Sequence, residues 1–297
     1  IAALAPPVTG AIDSRMHLVY HGSFITGNGS VGVSGLRYDG MEVGDLDFNF
    51  KAGMNFNGNV GCSLGLLLNK SEILRASGYI LNDSTSIRQN TRQLAQLKVD
   101  LLDFPLDIAN PFVGPDIMKL DGHLNGSMKL TGSMEAPMLN GEITCDSVGV
   151  YIPMAASWLR LDSSQPITVK DNSLLFKNFN IYASGKNPIT LTGYLDAKDL
   201  SDIRFDMSLT GNNVALVNNK RSAGSDIYGQ LFVTLAAHAK GSLSRMTVDG
   251  NIQVLPTTNI FYTLASASGT PLSGQPSTTD VVKFVQFSDS TMVVKAD

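Results

Sequence analysis

Ile203-Arg204-Phe205-Asp206-Met207-Ser208-Leu209-Thr210 decides how this chain folds. Apolar side chains stand at every second position, and Arg204, Asp206, Ser208 and Thr210 fill the gaps. Successive side chains of a strand point to opposite faces, so the segment describes a strand with one apolar and one wet face. The same period runs through Leu46, Phe48 and Phe50, set against Asp45, Asp47, Asn49 and Lys51. It returns in Leu124, Met128 and Leu130, with Gly126 on the apolar side, and in Ile252 and Val254. The clusters Gly27-Asn28-Gly29-Ser30, Asn57-Gly58-Asn59 and Gly211-Asn212-Asn213 carry turn chemistry. The order expected is an antiparallel meander rather than alternating strands and helices.

Helical pattern is scarce. Ser86 to Leu102 is the best candidate, although its core from Leu94 to Leu101 reads as strand nearly as well. A helical turn is expected at Ala155 to Leu159, after Pro153. Nothing else supplies a layer over the apolar sheet face. Either two sheets cover each other, or one sheet curls on itself.

The chain also repeats itself. Leu130 to Ile143 recurs as Ala239 to Ile252, with Gly132/Gly241, Ser133/Ser242, Gly141/Gly250 and Ile143/Ile252 in register. Each copy follows a strand that begins at a glycine, Gly122 to Leu130 and Gly229 to Ala237. Repeated strand–glycine–strand units mark quasi-linear β architectures. Three stretches are expected: residues 1–94 and 95–263 of one sheet, the second bearing the repeat, then a Ser/Thr/Gly-rich loop at 264–297. Val281 to Val285 can return from that loop as a further strand.

Composition narrows the function. Charged residues are 16% of the 297, hydrophobic residues 43%, and 28 are glycine. A typical soluble domain carries about 25% charge. The balance excludes a disordered chain, and glycines without a three-residue period exclude collagen. A net charge of -4 argues against a nucleic-acid platform. No run approaches the roughly 20 apolar residues of a spanning helix. The chain opens at Ile1, so any membrane anchor is expected outside it. Cys62 and Cys145 belong to no metal-ligand motif, and a single disulfide or two free thiols both fit.

Catalytic sets with suitable spacing are missing. His17, His21, His123 and His238 are dispersed, and no nucleophile elbow, zinc helix or phosphate loop occurs. Asp45 and Asp47 fall on the wet side of a strand, and Trp158 reads as a packing residue. Neither an enzyme, a cofactor nor a metal is expected. Two readings of the apolar stripe stay open: a β-sandwich that seals it, as in a secreted adhesin, or a trough that stays open and holds acyl chains. Each methylene removed from water contributes about 0.8 kcal/mol, so an acyl chain is held without hydrogen bonds.

Gly122-His-Leu-Asn-Gly126, followed by Leu130-Thr-Gly132 and Pro137-Met-Leu-Asn-Gly141-Glu-Ile143, resembles the repeat of the TamB family, in the AsmA-like group of bridge-like lipid transfer proteins. Val150-Tyr-Ile-Pro153, Asn187-Pro-Ile-Thr-Leu-Thr-Gly193 and Thr257 to Tyr262 are similar to that family as well. The likeness covers about residues 95 to 262, and Met246 departs from it where the first copy has Pro137. In style it is nearest the long members from Bacteroidetes-type bacteria. The resemblance implies an all-β, elongated, mostly antiparallel curled sheet, the β-taco, in the periplasm. It also implies phospholipid acyl chains as cargo, an Omp85-class, TamA-like outer-membrane partner with POTRA domains, and an inner-membrane anchor outside this chain. A scaffold role in outer-membrane protein assembly is the alternative it carries. The groove lining expected is Leu46, Phe48, Phe50, Leu124, Met128, Leu130, Ile189, Leu191, Ile203, Phe205, Met207, Leu209, Leu231, Val233, Leu235, Ile252 and Val254.

Overall fold

The computed structural model describes residues 8–22, 24–55, 57–82, 93–113, 118–133, 135–153, 157–199, 201–220, 227–242, 245–263 and 281–283. They form a single seventeen-stranded sheet. Its first eight strands are β1 (Val8–His21), β2 (Phe24–Tyr38), β3 (Met41–Met54), β4 (Val60–Leu68), β5 (Ser71–Asn82), β6 (Gln93–Pro105), β7 (Lys119–Ser133) and β8 (Ala136–Ile152). Each pairs antiparallel with the next. The meander is the expected one, and the whole is an all-β, elongated, curled sheet.

Beyond β8 one strand is broken in two. β9 (Ser157–Leu161) and β10 (Ile167–Lys170) both pair with β8 and with β11 (Ser173–Tyr182). The loop between them leaves Asn180 on β11 without a ladder partner on that side, and the Gln165 side chain accepts its N–H at 2.9 Å. β12 (Ile189–Asp196), β13 (Arg204–Asn219) and β14 (Ile227–Ser242) resume the meander. β15 (Arg245–Val254) and β16 (Asn259–Thr263) then share β14 as a second broken strand. Here Thr258 bridges the gap, accepting the N–H of Phe232 and donating to its carbonyl, both at 3.1 Å. β17 (Val281–Lys283) pairs with β16. It is the start of the strand expected at Val281 to Val285, whose other residues lie outside those described.

A line of β-bulges explains the curl. In five strands two inward residues are three apart rather than two: Val33 and Leu36, Leu101 and Phe104, Cys145 and Val148, Phe176 and Phe179, Gly211 and Val214. The residue before the second is left-handed each time: Gly35, Asp103, Ser147, Asn178 and Asn213, with φ from 50° to 59°. A neighbouring strand supplies side-chain acceptors for three of the freed amides. Asp45 takes the N–H of Gly35 at 2.7 Å, Asn125 that of Asp103 at 2.8 Å, and Thr234 that of Asn213 at 3.4 Å. A bulge bends its strand and sharpens its twist. Bulges at similar heights crease the sheet, leaving a long and a short arm in each bulged strand but β11, whose two arms are equal.

Buried residues gather along the crease in the second half of the molecule. Cys145, Val148, Ile167, Phe179 and Leu191 form one cluster, and Ile189, Val214 and Val233 another. The largest fully buried side chains are only valines, Val148, Val214 and Val233. A sealed sandwich of this size hides its largest apolar side chains, and this sheet leaves Phe48, Met246 and Ile252 exposed.

Among the described residues, helix is confined to one insertion and to Pro153, which is in a 3-10 turn. A 3-10 turn at Leu106–Ala109 leads into α1 (Asn110–Val113), between β6 and β7. Asn110 clamps it by donating to the carbonyl of Leu120 and accepting its N–H, at 2.9 and 2.7 Å. Phe112 reaches Tyr38, ring centroids 4.5 Å apart. The insertion also packs against β3 and β7.

Four expectations are corrected. The helix sought in Ser86 to Leu102 is strand β6 from Gln93 on, because ladders on both sides outweigh a weak helical propensity; residues 86–92 lie outside those described. Of the helical turn expected at Ala155 to Leu159, Ser157, Trp158 and Leu159 belong to β9; residues 155 and 156 lie outside those described. Gly27 to Ser30 lies inside β2, where Gly29 makes room for the Phe50 ring; a Cβ there would come within 2.6 Å of it. Gly211 to Asn213 is a bulge within β13. Both stretches have turn chemistry because a bulge needs the same left-handed backbone and a crowded face the same missing Cβ.

Candidate functional site

Residues directly opposite each other in an antiparallel pair share a face. Following the ladders from strand to strand therefore traces rows across the molecule. One row runs Met16, Gly29, Phe50, Leu64, Ala76, Val99, Met128, Gly141, Val169, Leu174, Leu195, Phe205, Gly241, Met246. All fourteen are apolar, and neighbouring strands are 4.7–4.9 Å apart, so the track is roughly 60 Å long. The adjoining row, on the other face, runs Arg15, Ser30, Asn49, Gly65, Arg75, Asp100, Ser127, Glu142, Thr168, Leu175, Tyr194, Asp206, Lys240, Thr247. Six of these carry charge. One residue along each strand separates the two.

Parallel rows widen the apolar track. Val31, Phe48, Leu66, Leu74, Leu101, Gly126, Ile143 and Ile167 form the next. Large residues face small ones along it: Phe50 lies opposite Gly29, Met128 opposite Gly141, Phe205 opposite Gly241. Gly193 shows why only glycine serves. Its φ is +139°, and a Cβ would come within 2.1 Å of the Asp206 carbonyl. The missing side chain lets a strongly twisted strand close on its neighbour.

Sixteen of the expected lining residues stand on this apolar face of the sheet, near the crease or along the long arm. Ile203 is one position before β13, in line with Phe205 and outside the ladder. Burial varies among them. Met128, Ile189, Leu191 and Val233 are covered by their neighbours, whereas Phe48 and Ile252 are open. Sequence reading missed the partners that make the face continuous: the leucines of β4, Val99 and Leu97 on β6, and Val169 and Leu174. Their signal was visible, since Leu64, Leu66 and Leu68 alternate, but Leu67 fills the gap and hides the period.

Charge stays on the opposite face, where Arg15, His17, Lys51, Glu72 and Arg75 help to line a cavity across β1 to β5. Along the long arm the apolar face of β1 to β15 holds no charged side chain. On the wet face Lys98 donates to Asp100 at 2.9 Å and holds its carboxyl below the usual carboxylate range. His238 meets Asp206 at 2.7 Å, and His123 is 4.0 Å from Asp103. Among the described residues no group of three or more His, Cys, Asp or Glu side chains is arranged to hold a metal ion, and no helix is long and apolar enough to cross a membrane. Cys62 and Cys145 are free thiols. Burial pushes Cys145 up to about 11.

The two repeat copies occupy the same structural place. Each is a hairpin tip, with Gly132 opposite Pro137 in the first and Gly241 opposite Met246 in the second. Residues 177–295, from within β11 onward, match the family model of the TamB C-terminal domain. The chain is thus similar over that stretch to a translocation and assembly module family of the cell envelope. No curated protein and no solved structure matches the chain.

Proposed function

We propose that this chain is a segment of a periplasmic hydrophobic groove. It carries phospholipid acyl chains passively between the inner and outer membranes, alongside an outer-membrane partner of the Omp85 class. The uncharged row from Met16 to Met246 carries the reading. It offers an apolar surface across fourteen strands, with no second sheet laid over it among the described residues. A closed core of that composition is a product of packing; an open one needs an apolar occupant. At about 0.8 kcal/mol per methylene, an acyl chain of about 16 carbons binds such a face without polar contacts. It slides along it because one apolar patch is energetically like the next. The likeness to the TamB C-terminal domain supports both the compartment and the cargo.

Photocrosslinking amino acids at Phe205 and Met207 in cells are expected to capture phospholipid, and those at Arg204 and Asp206 are not. Equal capture from the two pairs overturns the assignment of faces. Met207→Arg gives the functional test. Met207 is only partly buried against the first cluster and faces Gly193 and Ala239, so the longer arginine can carry its charge out to the open part of the face. The variant should fold, with an unchanged β spectrum, yet lose lipid capture at Phe205.

A further inference from the structure

The wet face of β1 to β5 is hollowed, on the side of the sheet opposite the apolar track. From Gly61 to Gly65 the wet-face positions of β4 are glycine, serine and glycine, whereas its neighbours carry long side chains there. Asn49 and Lys51 on β3 lie opposite Gly65 and Ser63, and Arg75 and Tyr79 on β5 lie opposite Gly65 and Gly61. Small residues flanked by large ones make a trough, its walls two strand spacings apart, about 9–10 Å. Its floor is backbone and the Ser63 hydroxyl. Two adjoining cavities of about 590 and 720 Å³ open over it, and they share His17, Asn28, Lys51 and Ser63. Those four stand directly opposite one another on four consecutive strands.

The lining is a set of donors. The side chains of Asn28, Ser30, Asn49 and Ser63 make no hydrogen bond among the described residues, and Lys51 meets no carboxylate there. Arg15 adds a guanidinium, 3.5 Å from Asp13. Arg75 is taken up by Glu72, the one carboxylate among the described residues of the lining. We propose that this trough binds a phosphate ester of a hydroxylated small molecule, either free or as a lipid headgroup. A phosphate monoester brings three strong acceptor oxygens and a charge of about −1.5 to −2, which matches Lys51 and Arg15. The amides and hydroxyls around them donate to its remaining oxygens and to the hydroxyls of the ester, and hydrogen bonds to an ionised acceptor are the strong ones. Ligand cavities run from about 300 to 1,000 Å³, so spaces of this size take the ester as well as its phosphate. The site lies behind the apolar track and stands whatever that track carries.

Titration calorimetry on the full chain tests it, with glycerol 1-phosphate as the probe and inorganic phosphate and glycerol as comparisons. Glycerol 1-phosphate should bind at one site per chain, inorganic phosphate more weakly, and glycerol undetectably. Lys51→Gln should weaken binding roughly tenfold or more, the loss expected of a hydrogen bond to a charged group, and Lys51→Arg should keep most of it. Gly61→Leu should abolish binding by filling the floor. A Cβ there meets the Tyr79 ring at an ordinary 3.5 Å, so the strand keeps its conformation. Lys129→Gln, on the same face at β7 and outside the lining, should change nothing. Flotation with phosphatidylglycerol vesicles separates the two sources. Capture that depends on Lys51 identifies a lipid headgroup, and no capture beside firm binding of glycerol 1-phosphate identifies a soluble ester; either upholds the site. Absence of glycerol 1-phosphate binding overturns the proposal, as do equal losses from Lys51→Gln and Lys129→Gln or full binding by Gly61→Leu.

Discussion

At the residue scale, the apolar face is tuned by what it omits. Cys145 sits inward beside Val148 at the crease, 3% exposed, and its thiol is pushed up to about 11 because burial penalises the thiolate. The sign of the consequence is fixed. In the unfolded chain the thiol ionises first, near its ordinary value of 9.0. The contribution to stability is therefore whole below about pH 9 and is lost as pH rises through about 11. A shift of this size corresponds to roughly 2–3 kcal/mol. Cys62 is raised for the same reason, so the measurement belongs in a Cys62→Ala background. Urea midpoints taken at about pH 8 and about pH 10.5 should fall less in Cys145→Ala than in its parent, because lysine and tyrosine titration is common to both. An equal drop in the two proteins means that Cys145 meets water in the folded state.

At the element scale, the two broken strands show how a sheet tolerates a loop in its middle. Each break would strand backbone groups on the neighbouring strand, and each is bridged by one side chain, Gln165 for Asn180 and Thr258 for Phe232. Thr258→Val keeps the shape and removes the hydroxyl, leaving the half-buried amide of Phe232 without its acceptor. Such losses cost about 1–3 kcal/mol. Chemical denaturation should register that loss, whereas Thr257→Val, on an exposed neighbouring turn residue, should be nearly silent; equal effects would remove the bridging role from Thr258. These breaks mark the limit of what the amino-acid order discloses. The runs Leu46 to Phe50 and Phe205 to Leu209 were legible because alternation is local. The bulges were written there too, as apolar residues three apart around an Asn, Asp, Ser or Gly, in Phe176-Lys177-Asn178-Phe179 for example. A single such step looks like noise, and only its recurrence at one height across the sheet gives it meaning. Height is a property of register, which strands acquire by pairing. The α1 insertion was hidden for a related reason: Leu106 to Val113 has no helical period, and the clamp from Asn110 to Leu120 joins residues ten apart.

At the scale of the whole molecule, strands contact mainly their neighbours along the chain, so stability is a sum over adjacent units rather than the property of one core. The sum is uneven. The buried clusters along the crease draw on β8 and β10 to β14, with no member on β1 to β5, where Val43, Ile73 and Ala76 are buried singly. The apolar row is continuous through both halves, yet only one half is fastened beneath it. Regions with few buried apolar contacts open at lower free energy than the global transition. Native-state hydrogen exchange should therefore find the ladder amides of β2 to β4 exchanging through partial openings, at rates insensitive to low denaturant. Those of β8 and β11 to β14 should exchange only through larger openings, with a steeper denaturant dependence. Val214→Ala, which hollows the second cluster, should speed exchange in β12 to β14 and leave β2 to β4 unchanged. One common opening free energy for all strands, shifted uniformly by Val214→Ala, would make the sheet a single cooperative unit and refute the division into a fastened and an unfastened half.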